Sequence, residues 1–105
     1  MISVPSEAPK NLACGPESTT SISLTWDILE PNKWNGAEKG YMIEYVKYQL
    51  NSNNYSIARF RSDERSGYLT GLDPFTRYEI YIRAETRVGF GPRSWCVQST
   101  QEGGK

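Results

Sequence analysis

The residues able to do chemistry are few and far apart. Two cysteines, Cys14 and Cys96, stand near opposite ends of a 105-residue chain that contains no histidine. Without His the pair cannot complete a structural zinc site, and neither thiol has the imidazole base that usually activates a nucleophile. The commonest general base is missing for the same reason. Carboxylates alone can run glycosidase chemistry. Here, however, the twelve Asp and Glu are scattered through turns and strand surfaces, where a solvated face is the ordinary reading. Gly89-Phe90-Gly91 is no phosphate loop, because no helix follows to supply a dipole. Asn54-Tyr55-Ser56 has the form of an N-glycosylation acceptor on a turn, which has meaning only in a secreted chain. The expectation is a protein that is not an enzyme and holds no metal or cofactor.

Charge and size narrow the class further. Twelve Lys plus Arg balance twelve Asp plus Glu, so no net field draws the chain to nucleic acid or to an anionic membrane. No apolar run approaches the length of a membrane span. The opening "MISVPSEAPK" lacks the apolar core of a signal peptide. A domain cut from a longer chain would show no targeting signal of its own, so compartment is not read from this absence. The length suits one domain with a single core, expected over residues 7–102, with 1–6 and the Gly-Gly tail 103–105 as linker.

The elements that must position these residues read as strands. "SISLTWD" (21–27) alternates Ile22, Leu24 and Trp26 with Ser23 and Thr25, the period of a half-buried strand. "YMIEYVKY" (41–48) puts Tyr41, Ile43 and Tyr45 on one side. In "GLDPFTRYEIYIRA" (71–84), turn residues give way to Tyr78, Ile80, Ile82 and Ala84 facing one way, with Glu79, Tyr81, Arg83 and Glu85 facing the other. "PKNLACG" (9–15), "YSIARF" (55–60), "GYLTGL" (67–72) and "SWCVQST" (94–100) complete the set. Seven short strands separated by turn signals, with no helical period, predict an all-β antiparallel sandwich, with a barrel as the alternative, one face of each sheet dry and the other wet.

Several of these segments are familiar in order and spacing. Leu72 to Tyr78, "LDPFTRY", resembles the tyrosine corner of fibronectin type III modules, in which the Tyr hydroxyl bonds to backbone a few residues upstream. Trp26 is similar to that family's core Trp on its second strand. "GYMIEY" (40–45) resembles its third-strand signature, and "RAETRVGFGPRS" (83–94) its sixth strand, hairpin loop and last-strand start. The resemblance covers nearly the whole chain and implies three strands packed against four. Trp26, Tyr41, Ile43, Tyr45, Leu72, Tyr78, Ile80 and Ile82 are the expected core. Three departures stand out. Thr86 occupies the usual position of an Asn, Glu38 that of an apolar residue, and the loop 86–93 holds no Arg-Gly-Asp. The doubled Trp-Ser motif of cytokine receptors is also missing.

The resemblance implies a non-catalytic interaction and spacer module of a larger extracellular adhesion or receptor protein. Its partners would be neighbouring modules and another protein, and the isolated domain would be monomeric. An intracellular scaffold module and an accessory domain of a secreted enzyme are the alternatives. Two contact surfaces are open. At one pole the family fold would bring Trp34 and Phe90 together, each either a contact residue or a plug folded onto the sandwich. On the outward faces of strands three and six, Met42, Val46, Tyr48 and Tyr81 could form a lateral surface or simply pair across strands. Arg59, Arg61, Arg65, Arg83 and Arg87 could form a basic stripe for sulfated glycans, against which the balanced acids argue. The family fold places the first and last strands at sheet edges on the same side of the sandwich, so a Cys14–Cys96 disulfide could staple that edge. If Val97 and Ser99 face the core, Cys96 cannot reach; if Trp95 and Val97 face out, it can.

Overall fold

The computed structural model describes residues 3–48 and 54–102. Seven strands form two antiparallel sheets: β1 (Ala13–Pro16), β2 (Ile22–Thr25), β3 (Glu38–Lys47), β4 (Ser56–Phe60), β5 (Ser66–Leu69), β6 (Arg77–Thr86) and β7 (Phe90–Ser99). The three-stranded sheet runs β1-β2-β5 and the four-stranded sheet β4-β3-β6-β7. This is the expected sandwich of three strands on four.

The alternation visible in the sequence becomes the core. Ile22, Leu24 and Trp26 from one sheet meet Tyr41, Ile43, Ile80, Ile82 and Ala84 from the other, all buried. Burying such side chains contributes roughly 1.5 to 3 kcal/mol each relative to leaving them in water. Tyr41 and Phe60 lie edge-on or tilted against the Trp26 ring, with centroids 5.6 and 5.4 Å away. Tyr45 is only half-buried and packs against this cluster from its rim.

Strand ends differ from the sequence reading throughout: β1 is shorter, Ala13–Pro16 against the expected 9–15, and β5 ends at Leu69 rather than Leu72, while β3 and β7 are extended. β3 begins at Glu38 rather than Tyr41, through an irregular register between Glu38 and Gly40. Gly40 sits at φ 129°, and a Cβ there would run into the Phe60 carbonyl of β4. Only glycine lets the two backbones approach this closely. β7 begins at Phe90 rather than Ser94, so the hairpin with β6 is longer than the turn residues suggested.

One helical turn, α1 (Pro31–Trp34), lies in the β2–β3 loop, where no helical period was visible. Pro31 suits a first-turn position, and Asn35 closes the turn in the left-handed region at φ 62°. The turn drops Trp34 into the core beside Tyr41, ring centroids 5.5 Å apart. The Trp34 indole N–H donates to the Leu29 carbonyl (3.3 Å), and the Leu29 N–H donates to the Tyr41 hydroxyl (2.9 Å).

The two open sides of the sandwich are closed differently. Along β1 and β7, Cys14 and Cys96 form a disulfide with Cα atoms 6.6 Å apart. Cys96 lies opposite Ile80 and so shares the core side, while Trp95 opposite Tyr81 faces out. Along β4 and β5, the Phe60 ring lies over Gly67, where a Cβ would collide with it. At the corner before β6, the Asp73 N–H donates to the Tyr78 hydroxyl (2.9 Å). The Thr100 hydroxyl donates to the Asp73 carbonyl (2.7 Å) and accepts from the Thr76 N–H (2.9 Å). These bonds fix the angle at which β6 enters the sheet.

The segment before residue 7, expected as linker, is bonded to the sandwich from Ser3 onward. The Ser3 and Ser6 N–H groups donate to the carbonyls of Asn35 (2.7 Å) and Lys33 (2.9 Å), and Pro5 is buried against Gly91. Thr86, at the position where the resemblance anticipates Asn, donates its hydroxyl to the Ser3 carbonyl (2.8 Å). It also accepts from the Val88 N–H (3.3 Å).

Candidate functional site

The outer face of the four-stranded sheet is built from the residues that alternate with the core. The register sets them in rows across the strands: Arg59, Met42, Arg83 and Arg93 in one row, then Ile57, Glu44, Tyr81 and Trp95 in the next. Glu79 follows between Val46 and Val97. Side chains in such rows stand close enough to interact directly.

The part of this face nearest the β6–β7 hairpin is ionic. Glu85 lies between Arg59 and Lys39, and its carboxylate is mostly buried beneath them. The Arg83 guanidinium donates to Glu44 (2.9 Å) and lies over the Phe90 ring, 4.7 Å from its centroid. Long side chains cover apolar surface while their charged heads stay in water. That is why Met42, which points outward with Arg59 and Arg83 on either side, is only 4% exposed. Val46, beside Glu79, is also buried. Neither can serve as the exposed contact residue that its outward position suggested.

The other part of the face is aromatic and open. Tyr48, Arg77, Glu79, Tyr81, Arg93, Trp95 and Val97 line a shallow groove of about 730 Å³. The Arg93 guanidinium stacks over Tyr81 at 4.2 Å and Arg77 over Tyr48 at 5.3 Å, while the Tyr55 ring meets the Tyr81 ring edge at 6.3 Å. Trp95 remains 65% exposed at the border. Neither Arg77 nor Arg93 has a carboxylate within ion-pair distance among the described residues. The Tyr81 hydroxyl is pushed above the ordinary tyrosine range, first by burial and then by the nearby Glu79 and Tyr55. The hydroxyl donates to the Glu79 carboxylate (3.5 Å). Trp, Tyr and Arg are the residue types enriched at binding hot spots, and a guanidinium on an aromatic face is a rigid platform.

The pole patch does not form. Trp34 is 2% exposed and packs on the inner side of the sheet, whereas Phe90 lies against Arg83 on the outer side. The sheet separates them, and Trp34 is a core plug. Phe90 and the half-buried Tyr48 and Tyr81 retain accessible surface. Three of the five arginines of the basic stripe, Arg59, Arg61 and Arg83, are neutralised by Glu85, Asp63 and Glu44. Trp95, Arg93 and Arg77 were not singled out from sequence. The signal was present in Trp95 alternating with Cys96, but it depended on a register left open. Phe75 also lies outside the contact residues that the sequence suggests. It is 72% exposed at the tyrosine corner, in the left-handed region at φ 48°, with its N–H donating to Gln101. Among the described residues no group of three or more His, Cys, Asp or Glu could hold a metal ion. Asn54 is exposed, two residues before β4.

This geometry has clear relatives. The chain is 37% identical over 89 residues to protein sidekick-1 of Gallus gallus, an alignment spanning 85% of this chain and 4% of that protein. It is 33% identical over 91 residues to cell adhesion molecule DSCAM of Homo sapiens, spanning 87% of this chain and 4% of that one. The solution structure of the third fibronectin III domain of human KIAA0343 protein superposes with a TM-score of 0.87 at 30% identity, covering 97% of this chain and 87% of that one. The family model for the fibronectin type III domain matches residues 7–100. With the sandwich topology, the tyrosine corner and this match in agreement, the chain belongs to the fibronectin type III domain family.

Proposed function

We propose that this domain is a non-catalytic interaction and spacer module of a longer cell-surface adhesion or receptor protein, placed in its extracellular part. The outer face of β3, β6 and β7 is its contact surface, and the partner is another protein. Support for the placement comes from relatives that include a protein named as a cell adhesion molecule, of which the matching segment is a small fraction. Support for the surface rests on one observation. Trp95 stands 65% exposed beside Tyr81, whose ring lies under the Arg93 guanidinium. An exposed Trp costs solubility unless something covers it, and ordered neighbours lower the entropy lost when that happens.

The test is a binding screen of the immobilised domain against a panel of cell-surface ectodomains, the parent protein's own included. Variants Trp95→Ser and Arg93→Glu should abolish the interactions found, and Phe75→Ser should leave them intact. Binding that survives both groove variants and is lost with Phe75→Ser would move the contact surface to the corner.

A further inference from the structure

We infer that Asn54 is an N-glycosylation site whose glycan covers the open β4 side of the sandwich. The inference rests on the extracellular placement proposed above. The acceptor tripeptide Asn54-Tyr55-Ser56 is exposed at all three residues. Asn54 and Tyr55 lie outside regular structure, and Ser56 is the first residue of β4. Among the described residues β4 is an edge strand paired with β3 alone, so an enzyme can reach the tripeptide without breaking the sheet.

The site also has a location that a glycan would change. Asn54 helps line an open groove of about 360 Å³ formed by the ends of β3 and β4 and the corner before β6, whose lining also includes Tyr45, Leu72, Asp73 and Tyr78. Beyond it along β4, Ile57 is 55% exposed. An edge strand with an exposed apolar residue is a template for pairing with another chain, and proteins blunt such edges. The opposite edge is closed by the Cys14–Cys96 bridge, whereas on this side the Phe60 ring lies over Gly67. A bulky hydrophilic group on Asn54 would sit over the groove and obstruct approach to β4. It would leave Trp95, two strands past β3, uncovered.

The transfer itself is a substitution at carbon. The Asn54 amide nitrogen bonds to C1 of the first N-acetylglucosamine of a lipid-linked oligosaccharide pyrophosphate. The bond from C1 to the phosphate oxygen breaks, the lipid pyrophosphate leaves, and the amide gives up one proton. No oxidant or reductant is involved.

The experiment secretes the domain from mammalian cells behind a supplied, cleavable signal peptide and measures intact mass before and after peptide N-glycosidase F. The expected result is one glycan, removed by the enzyme with conversion of residue 54 to Asp and absent from both Asn54→Gln and Ser56→Ala. Ser56→Thr should carry it at equal or greater occupancy. After enzymatic removal, the folded protein should self-associate more readily at high concentration, and Ile57→Lys should reverse that. Secreted, folded protein without a glycan in both the parent and Ser56→Thr forms would overturn the site. Equal association with and without the glycan would overturn its covering role. Because the signal peptide is supplied, these outcomes judge the site independently of the native compartment. The mass of the domain within the full-length protein from its own cells judges the placement.

Discussion

Replacing Cys14 and Cys96 together by Ala should cost about 4.5 kcal/mol of stability. The two residues are separated by 82 positions, so the bridge closes a loop spanning most of the domain. In the chain-entropy account the constraint on the unfolded chain grows with the logarithm of loop length, and a loop of this size gives about 15 cal/mol/K, or about 4.5 kcal/mol near room temperature. The native side changes little, because both cysteines are half-buried at the rim of the core and Ala fits without strain. Against the roughly 5 to 15 kcal/mol typical of a domain this is a large share, and the melting temperature should fall by on the order of 20 to 35 °C. Urea titrations of the parent and the double variant measure it. The variant should also show a steeper denaturant dependence, since an unbridged chain exposes more surface on unfolding. A loss below about 1 kcal/mol with an unchanged slope would refute the reasoning. So would intact mass of the denatured parent showing two alkylated thiols without prior reduction.

Four further outcomes follow from the same structure. Tyr78→Phe should cost roughly 1 to 3 kcal/mol in a denaturant titration, because the Asp73 N–H loses the hydroxyl that accepts it. Trp34→Ala should cost about 3 to 5 kcal/mol while Phe90→Ser costs roughly 1 or less; thermal melts giving the reverse order would restore Trp34 as a surface residue. Gly40→Ala should destabilise by on the order of 2 kcal/mol or more, since it combines an unfavourable φ with a clash against the Phe60 carbonyl; a neutral urea midpoint would contradict that approach. Burial holds the Tyr41 hydroxyl above its ordinary value of 10.0, outweighing the Leu29 N–H that stabilises its anion. The folded state then keeps a proton that the unfolded state releases, so this contribution is full below pH 10 and is lost as pH rises through the folded value. Denaturant midpoints should decline above about pH 10, and Tyr41→Phe should flatten that decline.

Strict alternation made the core legible. In β2 and β6 every second residue is apolar, and Ile22, Leu24, Trp26, Ile80 and Ile82 all emerged buried. The tyrosine corner was legible because Pro74 and Tyr78 have fixed jobs at fixed spacing. Strand ends were not, because pairing at Glu38 and Phe90 is imposed by the neighbouring strand rather than by local preference. One turn of helix leaves too little sequence to show a period, so Trp34 read as a loop residue. The outer face was the least legible part. Alternation says that Met42 points out, but only the assembled sheet shows that arginines cover it. Trp95 was hidden by a different ambiguity, since one residue of slip in β7 would have exchanged it with Cys96.

The claim that matters most is that the outer face of β3, β6 and β7 makes the contact. Amide hydrogen exchange of the domain within its full-length protein, free and bound to a partner from the screen, tests it most directly. The account predicts added protection confined to Arg93–Val97 and the facing segment of β6 around Tyr81. Protection that instead gathers at the β6–β7 hairpin around Val88, or at the corner around Phe75, with β7 unchanged, would contradict it.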